Sequence, residues 1–122
     1  MKKITILTAA LLGCVLQVSA RSYEKGPYTV TRLGEQVYNI VDANRQNPAG
    51  MHYNQAGEVT GMNNSSDMYL VLGKEKALLI DLSNNIDWVE DPAGRLQEIV
   101  YDLARSRQLV ITLTHRHGDH LG

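Results

Sequence analysis

Hydrophobic and polar positions alternate along the stretch YTVTRLGEQVYNIVDA, which begins at Tyr28. β-Branched and aromatic residues occupy every second position there, as is typical of strands that bury one face. Gly34 and Glu35 interrupt the alternation. The pattern therefore predicts a hairpin in which residues 29–33 pair with residues 36–41.

Two near-continuous apolar runs flank a polar turn in the stretch MYLVLGKEKALLIDLS. Runs without alternation are typical of strands that are covered on both faces, so residues 68–72 and 77–81 are predicted to form a second hairpin. Asp81 places a charge where the second apolar run stops.

The stretch DPAGRLQEIVYDLARSR carries the apolar spacing of a helix. Asp91 is suited to the N-cap, and Pro92 fits the first turn. The residues at the i, i+3, i+4, i+7 and i+8 positions of one face are Leu96, Ile99, Val100, Leu103 and Ala104. The β-branched run LVITLT that follows predicts a strand, and the whole order of elements predicts an α/β protein.

Residues 44–66 have no such periodicity, and they contain five asparagines, three glycines and one proline. This composition predicts a loop, and loops of this length are often covers of functional sites or disordered segments. His52 is expected to be an exposed loop residue. The alternative is that Met51, His52 and Tyr53 form part of a flap over a binding pocket.

The first 20 residues resemble a secretory signal, because two lysines precede a short apolar run and small residues follow it. Signal peptidase cleavage after VSA would release a periplasmic or secreted protein. The alternative is the stretch LLGC, which resembles a bacterial lipoprotein box and would make Cys14 a lipidated membrane anchor. Both readings predict export from a bacterial cell.

Composition limits the partners, disulfides and metal ligands that the chain can have. The chain has 122 residues, enough for one domain, and its formal net charge of −1 gives no reason to expect a nucleic-acid partner. Cys14 is the only cysteine, which excludes an intrachain disulfide. Any metal site in the domain must therefore be built from histidine and carboxylate.

Such residues gather in the stretch THRHGDHLG. His115 and His117 are two positions apart, so an extended backbone points both imidazoles to the same side. Gly118 permits a turn that would bring Asp119 and His120 back beside them. Imidazole and carboxylate are ligands for zinc, and also for iron and manganese. The alternative is a histidine-rich surface loop that binds metal adventitiously.

The stretch THRHGDHLG resembles the signature of the metallo-β-lactamase superfamily of metal-dependent hydrolases, and NSSDMYLVLGKEKALLIDLS resembles the strand pair that precedes it there. By this resemblance His115 and His117 would bind one zinc ion, and Asp119 and His120 a second. Asp119 would also be catalytic by orienting the nucleophilic water, and Asp81 would support the site without binding metal. One departure is DLS at residues 81–83, where many members have Asp-Thr-Gly.

The resemblance further implies a four-layer αββα sandwich of two similar halves, of which residues 28–122 would be the N-terminal, truncated part. The ligands that complete both metal sites lie further downstream in that family. The chain alone is therefore expected to bind metal no tighter than micromolar and to show no hydrolase activity. Apolar residues expected to lack part of their packing partners are Leu70, Leu72, Leu78, Ile80 and Ile111.

The expected activity is hydrolysis of a small-molecule substrate by a metal-activated hydroxide. The bond and the substrate class stay open, because those pockets are built largely by the other half of such a sandwich, and so does the oligomeric state. An iron-dependent redox enzyme is a minor branch. The alternatives are a catalytically inactive truncated product and a metal-binding half-domain that needs a partner chain.

Overall fold

The computed structural model describes residues 21–44, 52–61, 65–86 and 88–121. The predicted signal segment, including Cys14, lies outside these described residues. The elements are β1 Arg21–Lys25, β2 Tyr28–Arg32, β3 Val37–Asp42, β4 His52–Tyr53, β5 Val59–Gly61, β6 Asp67–Leu72, β7 Lys76–Ile80, the helix α1 Pro92–Ala104, β8 Gln108–Thr112 and a short 3₁₀ helix Gly118–His120.

Six of these strands form one mixed sheet in the order β1-β2-β3-β6-β7-β8. Both predicted hairpins are confirmed, since β2 pairs antiparallel with β3 and β6 pairs antiparallel with β7. The register places Thr29 opposite Val41 and Leu70 opposite Leu79. The described residues therefore have an α+β fold with one α-helix. The four-layer sandwich that the resemblance implies stays a prediction.

The strands β7 and β8 are parallel, and α1 lies in the connection between them. Parallel strands need such a crossover, and their carboxyl ends meet at the same edge of the sheet. Ile80 lies opposite Thr112 in the register. The residues that follow both strands, beginning with Asp81 and Leu113, are thereby brought together.

The predicted helix is confirmed over Pro92–Ala104. The Asp91 carboxylate caps it by accepting a hydrogen bond of 3.1 Å from the Gly94 amide, and Pro92 occupies the first turn. Its buried face carries Leu96, Ile99, Val100 and Ala104. The sheet residues in the same core include Ile40, Met68, Leu70 and Leu79.

Two features of the strands are not predicted by the sequence pattern. The strand β1 precedes the predicted domain boundary, and most of its residues are exposed. The predicted loop over residues 44–66 is wrong in part, because β4 and β5 pair there as a separate two-stranded sheet. The Asn54 side chain accepts hydrogen bonds from the amides of Ala56 and Glu58, and these bonds close the turn between β4 and β5.

The packing of the sheet is uneven across its width. Leu70 and Leu72 are buried in the core that the sheet shares with α1, so the expectation that they would lack part of their packing partners is wrong for these two residues. Ile111 in the edge strand β8 is 51% exposed, as expected. No helix in the described ranges is long and apolar enough to span a membrane.

Candidate metal centre

The histidine-containing loop folds back onto the end of β7. The Asp81 amide donates to the Thr112 carbonyl over 2.8 Å, and the Leu82 amide donates to the His120 carbonyl over 3.2 Å. Within the loop, the His120 amide donates to the His117 carbonyl over 3.1 Å and closes the 3₁₀ helix. Backbone contacts therefore hold both ends of the motif against the same strand terminus.

Three side chains of the motif converge. His115, Asp119 and His120 each offer a ligand atom, and these atoms all lie within 4.8 Å of one another. The His120 Nε2 atom lies 3.5 Å from the Asp119 Oδ2 atom, and the rings of His115 and His120 have centroids 4.2 Å apart. This arrangement brings together donor types that bind divalent cations.

His117 lies beside this group without joining it. Its ring centroid is 4.5 Å from that of His115, with the ring planes at 81°. The prediction that the two imidazoles lie on the same side is consistent with this distance. The assignment of the four ligands to two ions stays a prediction.

The turn predicted at Gly118 is the 3₁₀ helix Gly118–His120, but this turn does not require a glycine. Among the described glycines, only Gly26 and Gly57 have a positive φ, so Gly118 does not use the conformation that favours glycine. A β-carbon at Gly118 would meet no heavy atom within 4 Å. The turn is made by the 3₁₀ helix, which most residue types could form.

Asp81 is buried at the base of the motif, as a supporting residue should be. Its Oδ1 atom accepts from the Thr114 amide and its Oδ2 atom from the Thr114 hydroxyl, both at 2.7 Å. Burial by itself would raise the pKa of Asp81, but the hydrogen bonds from Thr114 and the neighbouring His120 outweigh burial and hold that pKa below its ordinary value of 3.8.

Sequence reasoning missed Asp42, a second buried carboxylate. Its Oδ2 atom accepts from the Ser66 amide at 3.0 Å and from the Asn84 side-chain amide at 3.0 Å. The Ser66 hydroxyl in turn donates to the Leu82 carbonyl at 2.9 Å. These contacts fix the segment that follows Asp81. The available signal was an aspartate at the end of an apolar strand, the same pattern as at Asp81.

The site is open on one side. His115 and His117 are exposed, whereas the side chains of His120 and Asp119 retain 17% and 27% of their accessible surface. A partly exposed ligand set leaves room for water or a substrate at the metal, as a catalytic centre requires. His52 lies in β4 rather than in a loop, but its side chain lies outside the described part of the structure, so its expected exposure and the alternative role in a flap stay predictions.

The donor set fits a divalent metal ion. Asp119 Oδ2 and His120 Nε2 face each other at 3.5 Å, and two lone pairs at that distance repel unless a proton or a cation lies between them. Imidazole with carboxylate suits zinc, iron and manganese. Neither a protein-family model nor a curated protein sequence matches the chain, so the functional assignment depends on these residues.

Proposed function

We propose that the chain carries the first metal-binding motif of an exported, metal-dependent hydrolase of the metallo-β-lactamase superfamily. The convergence of His115, Asp119 and His120 within 4.8 Å is the observation that carries the proposal. Three protein ligands is the number that catalytic zinc sites use. The order of strands and helix ahead of the motif agrees with the same reading.

Zinc is the metal we propose, with iron or manganese as alternatives and two ions in a complete domain. A bound zinc ion lowers the pKa of its water to about 7 and so supplies hydroxide at neutral pH. His115 and His120 would hold the ion through ring nitrogens, and Asp119 through a carboxylate oxygen. Asp119 would also orient the nucleophilic water and accept its proton through its carboxylate.

Zinc titration followed by calorimetry tests this proposal. His115→Ala and His120→Ala should each weaken zinc binding about 10-fold or more, since each removes one of few ligands. His52→Ala is the matched control, and its zinc affinity should equal that of the unsubstituted chain. Equal affinity in all three variants would contradict the proposed site.

A second candidate is a metal-binding half-domain that is completed by a separate partner chain. A groove of about 650 Å³ lies between α1 and the end of the sheet, and none of the motif histidines lines it. Leu96, Val100 and the exposed Ile111 form part of its wall. The coding sequence beyond Gly122 separates the candidates, since further histidine and aspartate ligands in frame would favour the hydrolase.

Export is part of the proposal and has its own measurement. Mass spectrometry of the protein isolated from a bacterial host should find a mature N-terminus at Arg21 or at a lipidated Cys14. Cleavage before Arg21 would indicate a periplasmic or secreted protein, whereas a lipidated Cys14 would indicate a membrane anchor. An intact Met1 in the mature protein would contradict export.

A further inference from the structure

The Thr114 hydroxyl lies between an acceptor and a histidine ring. Its Oγ1 atom is 2.7 Å from the Asp81 Oδ2 atom and 2.9 Å from the His115 Nδ1 atom. A hydroxyl has one proton to donate, and an ionised carboxylate has none. The Thr114 proton must therefore point to Asp81, which leaves a lone pair of Oγ1 facing His115.

That lone pair determines which nitrogen of His115 carries a proton. A ring nitrogen 2.9 Å from an accepting oxygen must donate, so His115 Nδ1 is the protonated atom. In the neutral ring, Nε2 then keeps its lone pair. Metals bind imidazole through such an unprotonated nitrogen.

His120 faces the same carboxylate directly. Its Nδ1 atom lies 3.2 Å from Asp81 Oδ2. This buried atom makes no well-aligned hydrogen bond with any described residue. The Asp81 carboxylate is close to it, but the angle at the contact is not that of an ideal hydrogen bond. A lone pair on Nδ1 would repel the carboxylate, which favours a proton there and a lone pair on Nε2. The His120 Nε2 atom is also the one that faces Asp119.

We propose that the single carboxylate of Asp81 sets the tautomers of both His115 and His120, reaching His115 through the Thr114 hydroxyl, so that each ring presents Nε2 to a metal. Thr114 is then a positioning residue that contacts neither metal nor substrate. The role of the two Nε2 atoms as ligands rests on the proposed function. The tautomers themselves are properties of the metal-free chain.

Two-bond ¹H–¹⁵N correlation spectra of the ¹⁵N-labelled full chain test the proposal. They are recorded without metal above the ordinary imidazole pKa of about 6.5. The unsubstituted chain should show His115 and His120 protonated at Nδ1. Thr114→Val should move His115 toward the Nε2-protonated form, while Thr114→Ser restores the hydroxyl and should restore the Nδ1-protonated form.

Thr112→Val is the matched control, because Thr112 is exposed on the strand that precedes the motif, and it should leave the His115 spectrum unchanged. An Nε2-protonated His115 in the unsubstituted chain would overturn the proposal. The same holds if Thr114→Val, with its backbone amide spectrum preserved, leaves the His115 tautomer unchanged. If Thr114→Val fails to fold, the spectra of the unsubstituted chain and of Thr114→Ser test the proposal. His115 protonated at Nε2 in either protein would overturn it.

Zinc affinity then tests whether the histidine tautomers affect metal binding. Thr114→Val should weaken zinc binding about 10-fold, the lower end of the usual effect of losing a partner of a metal-ligating histidine. Thr114→Ser should bind zinc like the unsubstituted chain. If no variant binds zinc, the proposed function fails while the tautomer result stands. If zinc binds normally and the tautomers do not respond to Thr114, only the present inference fails.

Discussion

At the scale of single residues, two buried aspartates hold the site in place. Asp42 is the last residue of β3, and Asp81 immediately follows β7. Asp42 secures the segment after Asp81, and Asp81 secures the start of the histidine motif through Thr114. Asp81 also has a φ of 62°, which a non-glycine residue adopts only when its surroundings require it. Their hydrogen bonds account for that conformation.

Asp81→Asn should lower the free energy of unfolding by about 2 kcal/mol at neutral pH, because hydrogen bonds to a charged group are among the stronger ones. The pKa of Asp81 is lowered in the folded state, so this stabilisation is present above the ordinary pKa of 3.8 and disappears as the pH falls through the folded value. Urea unfolding at a series of pH values measures the difference between the two proteins.

Asp67→Asn is the control, since Asp67 is exposed on β6. Its effect should stay within about 0.5 kcal/mol, as for most surface substitutions. A difference between Asp81→Asn and the unsubstituted chain that grows as the pH falls below 4 would contradict the pKa direction.

At the scale of elements, periodicity predicted the parts of the fold that bury a face. The helix and both hairpins were recognisable because burial imposes spacing on residues such as Ile40, Leu79 and Ile99. The strand β1 was not recognisable, because RSYEK lies at the sheet edge and its exposed positions need no apolar pattern. The short pair β4 and β5 was concealed by the turn residues around it.

The site, too, is predictable from the sequence only in part. The donors were visible as residue types, and Asp81 was visible as a charge at a strand end. The link from Asp81 through Thr114 to His115 was not visible, because it depends on the parallel pairing of β7 with β8. Only the folded chain places residues 81 and 114 side by side.

The helix cap offers a prediction at this scale. Asp91→Ala should lower the free energy of unfolding by about 1 kcal/mol, because the Gly94 amide loses its acceptor. Asp91→Asn should retain most of the stability, since asparagine also caps helices and tolerates the φ of 49° found at this position. Thermal unfolding of the three proteins measures both effects, and equal losses for alanine and asparagine would contradict the capping role.

At the scale of the whole molecule, one edge of the sheet differs from the other. The strand β1 carries charged residues, as protected sheet edges usually do. The strand β8 has no charged residue, and its Val110 and Ile111 are exposed. The motif follows directly after β8, so the proposed metal centre lies next to the apolar edge.

X-ray absorption at the zinc edge tests the central claim most directly, because it identifies the atoms around the metal bound by the purified chain. We predict nitrogen and oxygen neighbours at about 2.0–2.1 Å with imidazole scattering, which His115→Ala and His120→Ala each reduce. Sulfur at about 2.3 Å would place the metal at Cys14 instead. That result, or an imidazole signal unchanged in both variants, would contradict a metal centre built from His115, Asp119 and His120.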